Sequence, residues 1–219
     1  MIKSNFIVHD CETGGTDENQ NPITQYAAIV LDYKTLKEVD RWETFVKPYN
    51  DLVIEKEALD HTMVSMSDIN AGISIKEFVG TATEFWEGHR AKFKRKEMGR
   101  LVSVGHNIVF DHRFLGYALN IFKKDLWFYL YDNFIDTWPI AKMTYGLTGE
   151  EKLNLTASCE RSKIKLTDAH GAMNDVEANA DLFRFFAKKL RSKKGEGVVE
   201  ETAKRTRGLE FFQFKCGGK

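Results

Sequence analysis

Proline is scarce, with three in 219 residues. So few speak against disorder over its whole length. Cysteine is as sparse. Cys11, Cys159 and Cys216 are odd in number, far apart and form no C-x-x-C pair. That argues against a disulfide framework or a zinc knuckle and favours free thiols in a reducing compartment. Met1-Ile2-Lys3-Ser4-Asn5 lacks the apolar segment of a signal peptide, and no apolar run approaches bilayer length. The expectation is a cytoplasmic protein with no membrane partner. Asn154-Leu155-Thr156 then matches a glycosylation acceptor by letter only. Net charge is absent too: 32 Lys and Arg balance 32 Asp and Glu. The chain is no general polycation. What it has is 42% hydrophobic and 12% aromatic residues, 16 of them Phe. That suffices for one globular domain with a sizeable core, plus an appendage.

Neutrality hides an uneven distribution. Residues 89–100 hold Arg90, Lys92, Lys94, Arg95, Lys96 and Arg100 against Glu97, a net of +5. Residues 188–219 hold ten Lys or Arg and four Glu, a net of +6, so the remainder carries −11. An acidic body with two basic tracts suits a protein that binds cations centrally and a polyanion at its rim. A solvated helix face and a tail are the plainer reading of the same tracts.

Hydrophobic periodicity predicts strands at Asn5–His9, Gln25–Leu31, Val39–Val46, Leu101–Val104 and Leu126–Tyr131. Asp32–Lys37 reads as the hairpin between the second and third. Helices are predicted at Ala58–Met63, Ile75–Phe93, Phe110–Phe122, Leu153–Ser162 and Asp175–Leu190. In Ile75–Phe93, Phe78, Ala82, Phe85, Trp86, His89 and Phe93 recur at helical spacing, as a core stripe does. Three strands followed by alternating helices and strands form an α/β pattern. Residues 1–191 are read as one domain and 192–219 as a basic C-terminal tail. That tail contains several glycines and the aromatic patch Phe211-Phe212-Gln213-Phe214.

Four acidic residues stand out. Asp10 and Glu12 sit two apart at a strand end, where alternation sends both carboxylates to one face. Such a pair repels itself unless a hard cation such as Mg²⁺ sits between. Asp111 follows His106-Asn107-Ile108-Val109-Phe110 at a strand-to-helix junction, as a third carboxylate or as a helix N-cap. Asp175 opens the last helix, again as a ligand or a cap, five residues after His170.

Taken in order, Asp-x-Glu, His-Asn-x-x-Phe-Asp and His-x-x-x-x-Asp resemble the three motifs of the DEDDh 3′–5′ exonucleases. That superfamily includes the proofreading subunit of bacterial replicative polymerase and ribonuclease T. Ile23–Ile29, Phe45-Val46-Lys47-Pro48, Asp136-Thr137 and Leu153-Asn154-Leu155 fit the intervening segments, so the resemblance spans about residues 4–190. It implies a ribonuclease H-like α/β fold: a mixed five-stranded sheet, the first three strands antiparallel, with helices on both faces. It implies that Asp10, Glu12, Asp111 and Asp175 hold two Mg²⁺ or Mn²⁺ ions, and that His170 is the general base. By the same resemblance, the backbone at Thr13 and Gly14 contacts the 3′-terminal nucleotide. Gly14 departs from the usual pattern there, standing in Thr13-Gly14-Gly15 where many relatives have Thr-Thr-Gly or Thr-Ala-Gly. His106 and Asn107 are expected to order the loop or touch the substrate backbone, and Phe110 to fill the core or pack near the terminal bases.

The implied function is hydrolysis from a free 3′ end, releasing 5′-mononucleotides, with single-stranded DNA favoured. RNA trimming in the manner of ribonuclease T shares every catalytic residue and stays open. So does, more remotely, an inactive nucleic-acid-binding module. The basic tracts are expected to hold the strand. The tail patch is the candidate dock for a polymerase or sliding clamp.

Overall fold

The computed structural model describes residues 4–62, 64–90, 99–145, 153–166 and 171–192. The chain divides into two compact units, Met1–Arg184 and Phe185–Lys219. In the second, the described residues are the end of a helix. There the rings of Phe185 and Phe186 meet at 5.6 Å and Lys189 lies over Phe185.

The first unit is built on a five-stranded sheet. Its elements run β1 (Phe6–Thr13), β2 (Ile23–Leu31), β3 (Glu38–Phe45), α1 (Lys56–His61), α2 (Met66–Ala71), α3 (Ile75–His89) and β4 (Val102–Gly105). Then come α4 (Val109–Ile121), α5 (Leu126–Tyr129), β5 (Ile135–Asp136), α6 (Thr137–Tyr145), α7 (Leu155–Ser162) and α8 (Ala172–Ser192). The strand order is β3-β2-β1-β4-β5. β1 pairs antiparallel with β2 and β2 with β3, while β4 joins β1, and β5 joins β4, in parallel. The sheet is therefore mixed, with its first three strands antiparallel.

β2 has all nine residues buried, as a central strand covered on both faces must. The edge strand β3 is largely exposed and carries Glu38, Asp40, Arg41 and Glu43. Charges of this kind blunt a free edge. The predicted hairpin forms between them, with the Asp32 side chain accepting the N–H groups of Lys34 and Thr35.

On one face, Ile7, Cys11, Tyr26, Ala28 and Val30 pack with Phe78, Ala82 and Trp86 of α3 and Phe114, Leu115 and Ala118 of α4. The aromatic stripe of α3 is thus a core stripe; its last member, Phe93, lies outside the described residues, as does Met63. On the other face, Phe6 meets Phe183 of α8 edge-on at 4.9 Å.

One strand expectation is overturned. Within Leu126–Tyr131, Leu126–Tyr129 forms the short helix α5, and Leu130 makes an isolated parallel bridge to Leu101, just before β4. Asp125 caps the helix by accepting the Trp127 N–H, and Leu126 and Tyr129 are buried while Trp127 and Phe128 face outward. A short apolar run does not distinguish the two states by itself. The fifth strand is instead Ile135–Asp136. Helices α2 and α6 have no counterpart in the sequence reading. α2 carries a capping box between Ser65 and Asp68, and α6 takes Pro139 in its first turn, where proline is tolerated.

Candidate active site

The alternation of β1 sends Phe6, Asp10 and Glu12 toward α8, while His9 and Cys11 face the opposite layer. Asp175, in the first turn of α8, comes to the same place. One oxygen from each of Asp10, Glu12 and Asp175 lies within 4.8 Å of the others. The start of α8 is fixed by the buried Gln25 of β2. Its Oε1 accepts the Ala172 N–H at 3.2 Å and its Nε2 donates to Glu43 at 2.7 Å. The helix begins three residues before Asp175, whose own N–H donates to Gly171 O at 3.0 Å. The alternative role of Asp175 as a cap is therefore not realised.

This cluster is costly in its bare form. Burial, then the charge of Asp175, raises Asp10 to about 7. Burial, then the charges of Asp10 and Asp175, raises Glu12 to about 9. Three oxygen donors that resist sharing negative charge are the donor set a hard divalent cation relieves.

Asp111 stands outside that trio. It lies in the first turn of α4, past Ile108 at the N-cap position, so it does not cap the helix. It is 3% exposed, and its Oδ1 accepts the Cys11 N–H of β1 at 2.8 Å. Burial, then the charges of Asp10 and Glu12, holds its pKa well above the carboxylate range. One oxygen is thus tied to the backbone between the two β1 carboxylates.

The loop before α4 turns at Asn107, in the left-handed region at φ 68°. A single oxygen, Asp136 Oδ1, accepts the N–H groups of Asn107 and Trp138, each at 2.9 Å. His106 is held between Thr137 Oγ1 at 2.9 Å and the Leu153 carbonyl at 3.1 Å. Burial lowers its pKa. The neutral ring donates from Nε2 to that carbonyl, with Nδ1 facing the Thr137 hydroxyl. Thr137 also lies 2.8 Å from Asn179 of α8 and 3.0 Å from Gly105 O. Gln25, Asp136, Thr137 and Asn179 were not singled out as site residues in the sequence. Of these, Gln25, within Ile23–Ile29, and the Asp136-Thr137 pair lie in segments that fit the family; Asn179 carries no signal.

Thr13 ends β1, its hydroxyl donating to Gly15 O at 2.6 Å. Gly14 is buried, and a Cβ there would meet Pro22 Cδ at 2.8 Å and Val53 O at 3.0 Å. The chain itself uses the space that glycine leaves. Phe110 packs partly into the core, 4.9 Å from the Phe114 ring. His170 lies outside the described residues.

Behind the carboxylates sits a group that sequence reading missed. Ser103 Oγ of β4 is shared by His9 Nε2 and by His112 Nε2, the latter at 2.9 Å. Burial, then the charge of His112, lowers His9 strongly, and burial takes His112 to about 4. These neutral rings adjoin Asp10 and Asp111 in sequence and join β1, β4 and α4. In front, a cavity of about 620 Å³ opens beside Asp10 and Asp175, lined also by His106, Asn107 and Trp138.

The profile of the RNase T exonuclease family matches residues 7–183, enclosing Asp10, Glu12, Asp111 and Asp175. The chain belongs to this family, within the DEDDh 3′–5′ exonuclease superfamily. Ribonuclease T of Marinobacter nauticus is 31% identical over 183 residues, covering 81% of this chain and 79% of that protein. The PolC-type DNA polymerase III of Clostridium perfringens is 28% identical over 186 residues, 85% of this chain but 11% of the polymerase. Among solved structures, an exonuclease I matches with a TM-score of 0.70 at 20% identity, over 85% of this chain and 41% of that one. The family member described here thus spans about a ninth of the polymerase and two fifths of exonuclease I. The fold it shares with the latter is the ribonuclease H-like sheet. Among the described residues no helix is long and apolar enough to cross a membrane.

Proposed function

We propose that this chain is a metal-dependent 3′–5′ exonuclease that shortens single-stranded DNA from its free 3′ end and releases 5′-mononucleotides. The observation that carries the reading is the meeting of Asp10, Glu12 and Asp175 within 4.8 Å, inside a chain matched by an exonuclease profile. Asp10, Glu12 and Asp175, with Asp111 beside them, would hold two divalent ions, Mg²⁺ or Mn²⁺. Those ions supply Lewis acidity and a water of lowered pKa.

The protein's own part is positioning and proton transfer. His170 accepts the proton of the attacking water as its oxygen bonds to phosphorus and the bond to the 3′-oxygen breaks. Histidine is the side chain whose unperturbed titration lies closest to neutral pH, which suits it to this work. Thr13 offers backbone groups to the terminal nucleotide, whereas the Gly14 N–H and carbonyl are taken up by Pro22 and Glu55 of the chain itself. His106 and Asn107, held by Thr137 and Asp136, orient the strand. The basic tracts at 89–100 and 188–219 engage phosphates along it.

The preference for DNA is supported by an E. coli exonuclease I of the same fold that was solved with a dT13 oligonucleotide. Trimming of RNA is the second reading, favoured by the ribonuclease T relatives. Residues 192–219 form a basic tail that extends strand contact or docks a polymerase or sliding clamp. The exonuclease I neighbour, for its part, was also solved with an SSB C-terminal peptide.

The deciding experiment digests 5′-labelled single-stranded DNA and the matching RNA, with Mg²⁺ and with EDTA, with free and blocked 3′ ends. A ladder shortening from the 3′ end of DNA, lost with EDTA or the block, supports the proposal. Faster trimming of RNA moves the substrate to RNA with the site unchanged. A folded protein that cuts neither refutes the enzyme reading and returns the chain to a binding module.

A further inference from the structure

Trp138 stands in the first turn of α6 and is 40% exposed, although Thr137 and Ala141 of the same helix are fully buried. An indole so placed forfeits the burial that a large aromatic ordinarily gains. It lines the 620 Å³ cavity, together with Leu153 and Leu155, and the same cavity is bounded by Asp10 and Asp175. That volume is in the range of sites that enclose small organic groups. One turn along α6, Lys142 sets its Nζ 4.9 Å from the indole centroid. The start of the helix that carries the ring is anchored, because the Trp138 backbone N–H donates to the same Asp136 oxygen that fixes Asn107.

A flat aromatic wall with a cation over it, beside a carboxylate cluster suited to metal, presents three chemistries in one place. They match a base, a phosphate and the scissile phosphodiester. Single-strand binders combine stacking rings with cations in this way. Among the described residues lining the cavity, neither Thr13 nor Gly14 appears, so the cavity offers a nucleotide position separate from that of Thr13. We propose that Trp138 is a stacking platform for the base of a nucleotide adjoining the scissile phosphate, and that Lys142 takes a neighbouring phosphate. The platform rests on the exonuclease reading and deepens it.

The test combines protein variants with altered substrates. Binding of a 5′-fluorescein single-stranded oligonucleotide is followed by anisotropy in EDTA, and its digestion is followed in Mg²⁺. W138A is expected to raise Kd and KM about 10-fold with kcat within about twofold, and W138F to recover most of the loss. Removing the base at the terminal or the penultimate position should weaken binding to the unmodified protein by a similar factor. At the stacked position, W138A should add nothing to that loss. K142A should flatten the dependence of log K on log salt by about 0.7. An unchanged Kd for W138A, or losses that add at both positions, would overturn the platform. Should the unmodified protein bind but not cut, the exonuclease reading fails, and the anisotropy cycle alone decides the platform.

Discussion

Replacing Asp10 by Asn should make the metal-free protein more stable while it destroys activity. Asp10 sits with Glu12 and Asp175 in a space that disfavours charge, and its pKa rises from 3.8 to about 7. At 1.36 kcal/mol for each tenfold in proton affinity, that rise corresponds to about 4 kcal/mol. The sign follows from proton counts. With its folded pKa raised, Asp10 holds a proton in the folded state that the unfolded chain has lost between about pH 4 and pH 7. Stability therefore falls as pH rises through that window, and the full penalty stands above it. Glu12, raised to about 9, extends the fall to higher pH.

Asparagine removes the Asp10 charge but still buries a polar group, so roughly half the penalty, about 2 kcal/mol, should be recovered. At 2–4 °C per kcal/mol for a chain of this length, Tm should rise about 4–8 °C at pH 8 in EDTA. Near pH 4, where the wild-type carboxyl is already protonated, the two proteins should melt together. Adding Mn²⁺ should stabilise the wild type by about 2.7 kcal/mol at a hundred times Kd, and raise its Tm accordingly. It should move D10N far less. Measured by thermal unfolding across pH with and without EDTA, a D10N protein that melts at or below wild type at pH 8 would refute the reasoning.

Three further outcomes are expected. His170→Ala should lower turnover roughly 10²–10⁴-fold while Mn²⁺ still raises Tm. Wild-type activity should fall as pH drops below neutrality and His170 gains its proton, and near-normal turnover in the variant would remove His170 from the mechanism. Deleting residues 192–219 should weaken DNA binding and flatten its salt dependence, and an unchanged slope would contradict a nucleic-acid role for the tail. Ser103→Ala deprives two buried imidazoles of their shared hydroxyl. It should cost about 2–4 kcal/mol, read as a drop of roughly 5–15 °C in Tm, and an unaltered Tm would show the contact to be idle.

The carboxylates were legible because β1 has period two, which puts Asp10 and Glu12 on one face whatever the surroundings. Asp175 was legible as a residue near a helix start. That it sits inside the first turn rather than at the cap depends on Gln25, 150 positions earlier, catching the Ala172 N–H. No local pattern encodes that contact. The fifth strand was misplaced because Leu-Trp-Phe-Tyr is apolar enough for either state, and the Asp125 cap and outward Trp127 and Phe128 settle it as helix. The true strand, Ile135–Asp136, is two residues long and gives no periodicity to read. His9, Ser103 and His112 come from three elements, and each alone reads as an ordinary polar residue. Their meeting is a product of the β1–β4 register, which sets Ile7 against Ser103.

Asp136 Oδ1 accepts one hydrogen bond from the loop of His106 and Asn107 and another from the helix that carries Trp138. Two walls of the cleft thereby share one anchor. A change of strand width at the entrance cannot be made by moving one wall alone; both must follow that oxygen or one bond must break. Homologues that accept bulkier 3′ ends would then have to vary the side chains facing the cleft rather than its frame. Substitution at Asp136 itself would loosen both walls at once and blur selectivity without touching a single carboxylate of the cluster.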